Sequence, residues 1–338
     1  MEAYCLREET ERADNQRVNE AIEREMKECR LCARNCGIDR TRFPGRCGMT
    51  AEIRAARAAL HMWEEPCISG KEGSGAIFFT GCPIGCIFCQ NREIALGKAG
   101  KAISIHRLAE IMLELQDKGA NNINLVTPTQ YVPQIIEAVR MARRGMMAEE
   151  QTEFDEEHTV SAGRLRIPVL YNTGSLETPD TVRKLEGTVD IFLPDLKYFS
   201  TELAEKYSGS VDYFKTAAAA IREMVRITGA CEFDERGIMK RGTLVRHLIL
   251  PGHTEDSKKI LSYLHETYGD QIYISIMNQY TPMPGIEKRF PELGRRVTRR
   301  EYDKVVDFAI DIGIENAYIQ EGGTQKESFI PAFDYEGL

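Results

Sequence analysis

The stretch that decides the fold is Ala76-Ile77-Phe78-Phe79-Thr80, followed by Gly81-Cys82-Pro83-Ile84-Gly85-Cys86-Ile87-Phe88-Cys89-Gln90-Asn91. The first five residues form an apolar run of the length expected for a buried strand. The loop behind it places three cysteines at C-x3-C-x2-C spacing. Three thiolates can hold three irons of a 4Fe–4S cube, while a complete protein set has four, so one iron is left open to another ligand. The plainer alternative is a zinc site completed by Cys67.

Upstream lies a second set, Cys29-x2-Cys32-x3-Cys36-x10-Cys47. Four thiols this close suit a closed tetrahedral zinc site, and Cys36-Gly37 and Cys47-Gly48 resemble the glycine-relieved turns of zinc knuckles. The same four also suit a second 4Fe–4S cluster. Of the ten cysteines, eight fall between Cys29 and Cys89, with only Cys5 and Cys231 apart. The N-terminus is too polar for a signal peptide, and the most apolar stretch, 75–89, is too short and too broken to span a membrane. Clustered cysteines in a reducing compartment bind metal more often than they pair, so a cytoplasmic location is expected. Net charge is −8 over 338 residues, which gives no basic footprint for nucleic acid. No membrane partner is expected either.

Downstream of residue 76, apolar runs alternate with helical patterns, the mark of βα units and a parallel sheet. Strands are expected at 76–80, 122–126, 167–171, 189–193, 244–250 and 272–277, with a further short one at 317–320. Ser104 reads as an N-cap, Thr178-Pro179 as a helix start and Thr298-x-x-Glu301 as a capping box. Residues 145–165 are polar and acidic, without periodicity, and read as an exposed insertion. A helix over 15–28 carries one narrow apolar stripe and is expected to pack on the body. Cys67 reads as a small buried hydrophobe and His61 as a core or hydrogen-bonded residue.

The triad, with an aromatic residue (Phe88) before its third cysteine, resembles the signature of the radical S-adenosylmethionine (radical SAM) enzymes. That resemblance implies that Cys82, Cys86 and Cys89 hold a 4Fe–4S cluster whose open iron chelates the amino and carboxylate groups of SAM. It further implies reductive cleavage of SAM to methionine and a 5′-deoxyadenosyl radical, with a reductant such as flavodoxin or ferredoxin. Much of 76–283 is similar to the branch containing the pyruvate formate-lyase activating enzymes. Asp195 and Lys197 match its D-x-K motif on strand four. Val245-Arg246-His247-Leu248-Ile249-Leu250-Pro251-Gly252 resembles its strand-five arginine and Pro-Gly turn. Pro168-Val169-Leu170-Tyr171-Asn172-Thr173-Gly174 resembles its T-N-G-like segment.

The branch ends its second strand in a G-G-E-P-like turn that receives the SAM amino group. Here the turn is Thr127-Pro128-Thr129-Gln130, which makes the Thr127 and Thr129 hydroxyls and backbone carbonyls the candidate replacements. The cysteine quartet, Trp63-Glu64-Glu65-Pro66-Cys67 and Cys89-Gln90-Asn91 resemble an uncharacterised subgroup of activating-enzyme-like iron–sulfur proteins over nearly the whole chain.

Side-chain direction sharpens these roles. Asp195 and Lys197 lie two apart on an extended strand and face one side, where they bind SAM polar groups or a cation, or form a structural ion pair. Arg246 and His247 alternate, so only one faces the barrel interior. Arg246 can meet the SAM carboxylate bidentately. Asn172 and Thr173 are candidates for the ribose or methionine moiety, and His253 is a weaker one beside the Pro-Gly turn.

The expected architecture is α/β: an open (βα)6 partial TIM-type barrel over 76–320, with a helical segment at 1–28, a Cys-rich metal-binding module at 29–75 and an irregular tail at 321–338. The expected function is that of a radical SAM oxidoreductase abstracting hydrogen under anaerobic conditions. By resemblance, the substrate is a glycine backbone on a glycyl-radical enzyme. The alternatives are a small metabolite or peptide substrate, or a non-catalytic metal-binding adaptor or electron carrier.

Overall fold

The computed structural model describes residues 16–145, 163–320 and 331–338. Cys5, the first residue of the expected N-terminal helix (Asn15) and most of the acidic stretch at 145–165 lie outside these residues. Helix α1 covers 16–26. Its apolar stripe is partly buried through Met26, which packs with Cys29 and Leu31.

Strand β1 (Arg54–His61) and the short helix α2 (Pro66–Ser69) precede the run that opened the sequence reading. That run forms β2 (Ser74–Phe79), buried at every position. The order continues with α3 (Arg92–Ala95), β3 (Lys101–Ala102), α4 (Ile105–Asp117), β4 (Ile123–Val126), α5 (Val132–Arg144) and β5 (Val169–Thr173). Then come α6 (Pro179–Arg183), β6 (Ile191–Pro194), α7 (Thr201–Ser208), α8 (Tyr213–Thr228), β7 (Glu232–Phe233) and β8 (Met239–Leu248). The described chain closes with α9 (Thr254–Tyr268), β9 (Tyr273–Met277), α10 (Arg299–Asp311) and β10 (Ala317–Ile319).

Strands β2, β4, β5, β6, β8, β9 and β10 are parallel neighbours in that order. This is the open α/β partial barrel expected from the sequence. The helix signals act as read. Ser104 Oγ accepts from Arg107 N, Thr178 accepts from Thr181 N, and Thr298 and Glu301 form a reciprocal capping box. The apolar faces of α4, α5, α8 and α9 pack on the sheet in one continuous core. A smaller cluster beneath it joins Cys67 and Ile68 to Leu170, Ile191, Leu193, Met239 and Leu244.

Strand β1 is absent from the sequence expectation. Its alanines at 55, 56, 58 and 59 are buried, but alanine has low strand propensity and gives no two-residue alternation to read. Tertiary pairing makes the strand: β1 runs antiparallel to β2 on one side. On the other side, Ala58 N donates to Glu336 O and Tyr335 N to Ala56 O. Arg57 pairs with Asp334 and Glu336. Residues 334–336 are thus tied to β1, while 321–330 of the expected tail lie outside the described residues.

Candidate active site

Because the strands are parallel, their C-terminal ends share one rim, and the triad loop emerges there from β2. Cys82, Cys86 and Cys89 line a cavity of ≈ 220 Å³ together with Asn172, Thr173, Asp195, Lys197 and Arg246. Burial, then the neighbouring Cys86 thiol, pushes the Cys82 thiol up, against backbone N–H groups of Gly85 and Ile84 that favour its thiolate. Burial and the other two thiols push Cys89 up to about 12. Cys86 Sγ accepts from Ser208 Oγ at 3.2 Å. Buried thiols that oppose one another's ionisation call for a cation to hold them as thiolates. No carboxylate lies within the loop itself. An all-thiol set suits an iron–sulfur cube, so the donor set fits the group that the spacing implies. Phe88 caps this end of the cavity against Tyr198, Tyr207 and Tyr280, with ring centroids 6.3, 6.3 and 6.0 Å away.

The strand ends opposite the triad carry a charged network. Just past the end of β6, Lys197 Nζ lies 2.6 Å from Asp195 Oδ2, on the same side as expected. Arg246 Nε donates to Asp195 Oδ1 at 2.8 Å, Nη1 to Glu64 Oε2 at 3.1 Å and Nη2 to Asn172 Oδ1 at 2.6 Å. Burial works against ionisation of Asp195, but Arg246 and Lys197 outweigh it and hold the carboxyl below its ordinary range. Two carboxylates and two cations make the network neutral. Each charge keeps a partner in a site where an unpaired one would be costly.

His247 takes the other side of β8, as alternation demands. Its Nδ1 lies 2.8 Å from Leu196 O and its Nε2 2.9 Å from Ser257 Oγ, away from the cavity. His253 meets Tyr207 at 2.9 Å and is not among the cavity-lining residues.

Two positions depart from the sequence reading. Thr127 lines the cavity, held at φ 59°. Thr129 does not: its hydroxyl donates to buried Glu177 at 2.5 Å, and the residue lines a second, smaller cavity. The 3-10 turn that follows β4 swings Thr129 away from the rim, so its side chain does not reach the cavity expected to take SAM. Conversely, Glu64, within Trp63-Glu64-Glu65-Pro66-Cys67 and without an expected role of its own, completes the charged network. Its Oε1 accepts from Asn124 at 3.0 Å and Asn172 at 3.3 Å, while Oε2 holds Arg246. The signal in sequence was a pair of acidic residues before Pro66, which is ordinary for a helix start. Beside it, Glu65 is buried against Ser275 and its carboxyl is pushed up by burial.

The quartet gathers at that second cavity, which is lined by Cys29, Cys32, Cys36 and Cys47 with Arg34, Arg40 and Arg46. Gly37 (φ 58°) and Gly48 (φ 82°) turn the backbone in the left-handed region directly after Cys36 and Cys47, as those dipeptides suggested. Burial pushes Cys32 up to about 12 and raises Cys47 as well. Cys36 stands apart: partial burial opposes its ionisation, but the Arg46 and Ile38 N–H groups and Arg40 bring it below the ordinary thiol range. Among the described residues, no three His, Cys, Asp or Glu side chains are arranged as a ready single-ion site. The sharing of one cavity by all four thiols is the geometric observation.

The described residues contain no helix long and apolar enough to cross a membrane. The radical SAM superfamily model matches residues 76–264, more than half of the chain. Uncharacterized protein MJ0674 of Methanocaldococcus jannaschii is 26% identical over 303 residues, covering 87% of this chain and 77% of its own. Among solved structures, Streptococcus suis SuiB bound to S-adenosylmethionine is 15% identical with a TM-score of 0.45, over 72% of this chain and 49% of SuiB. HydG, a maturase of the [FeFe]-hydrogenase, is 14% identical with a TM-score of 0.47, over 72% of this chain and 51% of HydG. The chain thus spans about half the length of either solved protein.

Proposed function

The chain belongs to the radical SAM superfamily, and from that premise we propose that it is a hydrogen-abstracting enzyme whose cluster is held by Cys82, Cys86 and Cys89. The cluster and SAM supply, when bound, a one-electron cleavage that yields methionine and a 5′-deoxyadenosyl radical. The observation that carries this reading is the placing of three thiols and a neutral four-charge network in one cavity.

The chain's own residues have distinct tasks in it. Arg246 spends three of its five N–H donors on Asp195, Glu64 and Asn172, which leaves two for a ligand carboxylate. Held from three sides, its guanidinium is set before the ligand arrives, so little ordering cost remains. Asn172 faces the ribose or methionine moiety with its side chain, Thr173, whose hydroxyl donates to buried Glu177 at 2.6 Å, meets it through its backbone, and Thr127 takes the amino group through its hydroxyl or carbonyl. Asp195 and Lys197 bind the remaining polar groups, and the Phe88 wall keeps water from the reacting atoms.

The substrate proposed is a glycine backbone on a glycyl-radical enzyme, as for the activating enzymes that the strand motifs resemble. A flavodoxin or ferredoxin supplies the electron, in an anaerobic cytoplasm. Cys29, Cys32, Cys36 and Cys47 hold a second metal centre, either zinc or iron–sulfur.

The test is anaerobic reconstitution with iron and sulfide, followed by dithionite and SAM. Release of 5′-deoxyadenosine is expected, and Cys86→Ala should abolish it. A fully loaded, reducible protein that leaves SAM intact would overturn the enzymatic reading in favour of an electron carrier or adaptor.

A further inference from the structure

The two cysteine sets lie back to back, and the contacts between them are specific. Cys47 O accepts from Cys82 N at 3.2 Å, so a quartet residue is bonded through its backbone to the first residue of the triad. Gly81, at φ 91°, has no room for a side chain: a Cβ there would stand 2.3 Å from Met49 Cγ and 2.9 Å from Cys47 O. Arg34, between Cys32 and Cys36, reaches into the triad loop. Its Nε donates to Pro83 O at 2.8 Å and its Nη2 to Ile84 O at 2.7 Å. The same guanidinium donates to Ser208 O at 2.8 Å and Gly209 O at 2.6 Å, and Ser208 is the residue whose hydroxyl meets Cys86 Sγ.

A third link runs through Arg40, which is wholly buried. It donates to Met49 O at 3.0 Å, Thr50 O at 2.6 Å and Gln130 O at 2.6 Å. Gln130 Nε2 in turn lies 3.0 Å from Thr80 O and 3.1 Å from Gly81 O, at the root of the triad loop. The quartet loop forms no helix or strand of its own and is held by scattered backbone bonds, such as Cys29 N to Ile38 O and Gly45 N to Met49 O, and by a small cluster of Met26, Cys29 and Leu31. A metal closing its four thiols would add the cross-link that fixes these short segments against one another.

We infer that the quartet, closed on a metal, is a latch that fixes the triad loop in its cluster-holding shape, acting through the Cys47 carbonyl, Arg34 and the Arg40–Gln130 pair. The inference rests on the reading of the quartet as a second metal centre. Arg34 and Arg40 are positioning residues: Arg34 holds the triad loop, while Arg40 holds its supports and lies 3.8 Å from Cys29 Sγ. Loss of the quartet metal frees the anchor points, and the triad loop then opens locally without the barrel unfolding, as weakly cored segments do.

The experiment starts from protein reconstituted anaerobically with iron and sulfide, alone or with zinc added. Metal and sulfide per chain are counted, and anoxic alkylation of each cysteine is followed by mass spectrometry. Wild type should hold a quartet centre, and residual metal in the Cys82/Cys86/Cys89→Ala protein tells zinc from iron–sulfur. Cys36→Ser removes a quartet ligand that makes no contact with the triad loop. It should lose the quartet metal and speed alkylation of Cys82, Cys86 and Cys89 by about tenfold or more, the scale of a local opening made ~1.4 kcal/mol easier. Arg34→Gln should keep the quartet metal yet still speed triad alkylation and alter the electron paramagnetic resonance line shape of the reduced triad cluster.

Absence of any quartet metal in wild type would overturn the second-centre reading on which the latch depends. Loss of quartet metal with unchanged triad alkylation would overturn the latch alone. If Cys36→Ser fails to fold, Arg34→Gln decides: triad alkylation and line shape identical to wild type would sink the inference.

Discussion

The two thiol sites of this protein differ in what surrounds them more than in what they contain. The triad opens onto a cavity of ≈ 220 Å³ walled by the charged side chains of Glu64, Asp195, Lys197 and Arg246. The quartet encloses ≈ 10 Å³, room for roughly one water, and its polar neighbours are mainly arginines that donate to backbone carbonyls. Three ligands with an open side and space for a ligand suit chemistry. Four ligands in a closed pocket suit structure. The difference teaches that the number of cysteines in a loop matters less than whether the fold leaves room and charge beside them.

The largest effect that could break this contrast is expected on the open side. Arg246→Ala leaves Asp195 and Glu64 without their shared partner, a loss of about 3–5 kcal/mol for a largely buried ion pair. A fall in the thermal midpoint and weak SAM binding by calorimetry are the expected results. Arg246→Lys should not restore binding, because one ammonium cannot span Asp195, Glu64 and Asn172. Wild-type affinity in either variant would show that the charged wall does not serve SAM.

Between the two sites, Gly81→Ala should cost about 1–3 kcal/mol from overlap with Met49 and Cys47 O and from the left-handed backbone. Metal incorporation into both sites should fall together, since the residue is wedged between their loops. A selective loss at one site, seen by metal analysis, would show that the loops move independently.

The smallest change tests the membership of both sets. Cys67 sits in the lower apolar cluster with Ile68, Leu170 and Leu193 and lines neither cavity. Burial pushes its thiol up to about 12, with a hydrogen bond from Tyr318 working the other way. Cys67→Ala should cost about 1 kcal/mol in urea unfolding and leave metal content unchanged, as for a small core hydrophobe. Loss of metal would revive the zinc site completed by Cys67.

The parts of the site that were legible in sequence are those whose geometry is local. Asp195 and Lys197 share a side because they lie two apart in the chain that continues directly from β6, and Arg246 and His247 part because they are adjacent on β8. The parts that were not legible depend on long-range approach. Thr129 looked like a strand-end contact until the turn over Thr129–Tyr131 carried its hydroxyl to Glu177. Glu64 lies 182 positions before Arg246 in the chain. It enters the site because β1, antiparallel to β2, ends beside the start of that strand, with His61 opposite Ser74. The chain then turns so that Glu64 meets Asn124, Asn172 and Arg246 from the N-terminal side of the parallel strands.

By itself, the sequence determined the kind of chemistry and the order of elements. Thiol spacing, apolar runs and capping residues act over a few bonds and read the same in any surroundings. Tertiary structure alone decided that a run of alanines is a strand, that Glu64 completes the Arg246 network, and that the quartet stands against the back of the triad loop. Those outcomes rest on partners far apart in the chain. For such partners, burial and hydrogen bonding are settled by the packing of the whole sheet, which no short window of residues encodes.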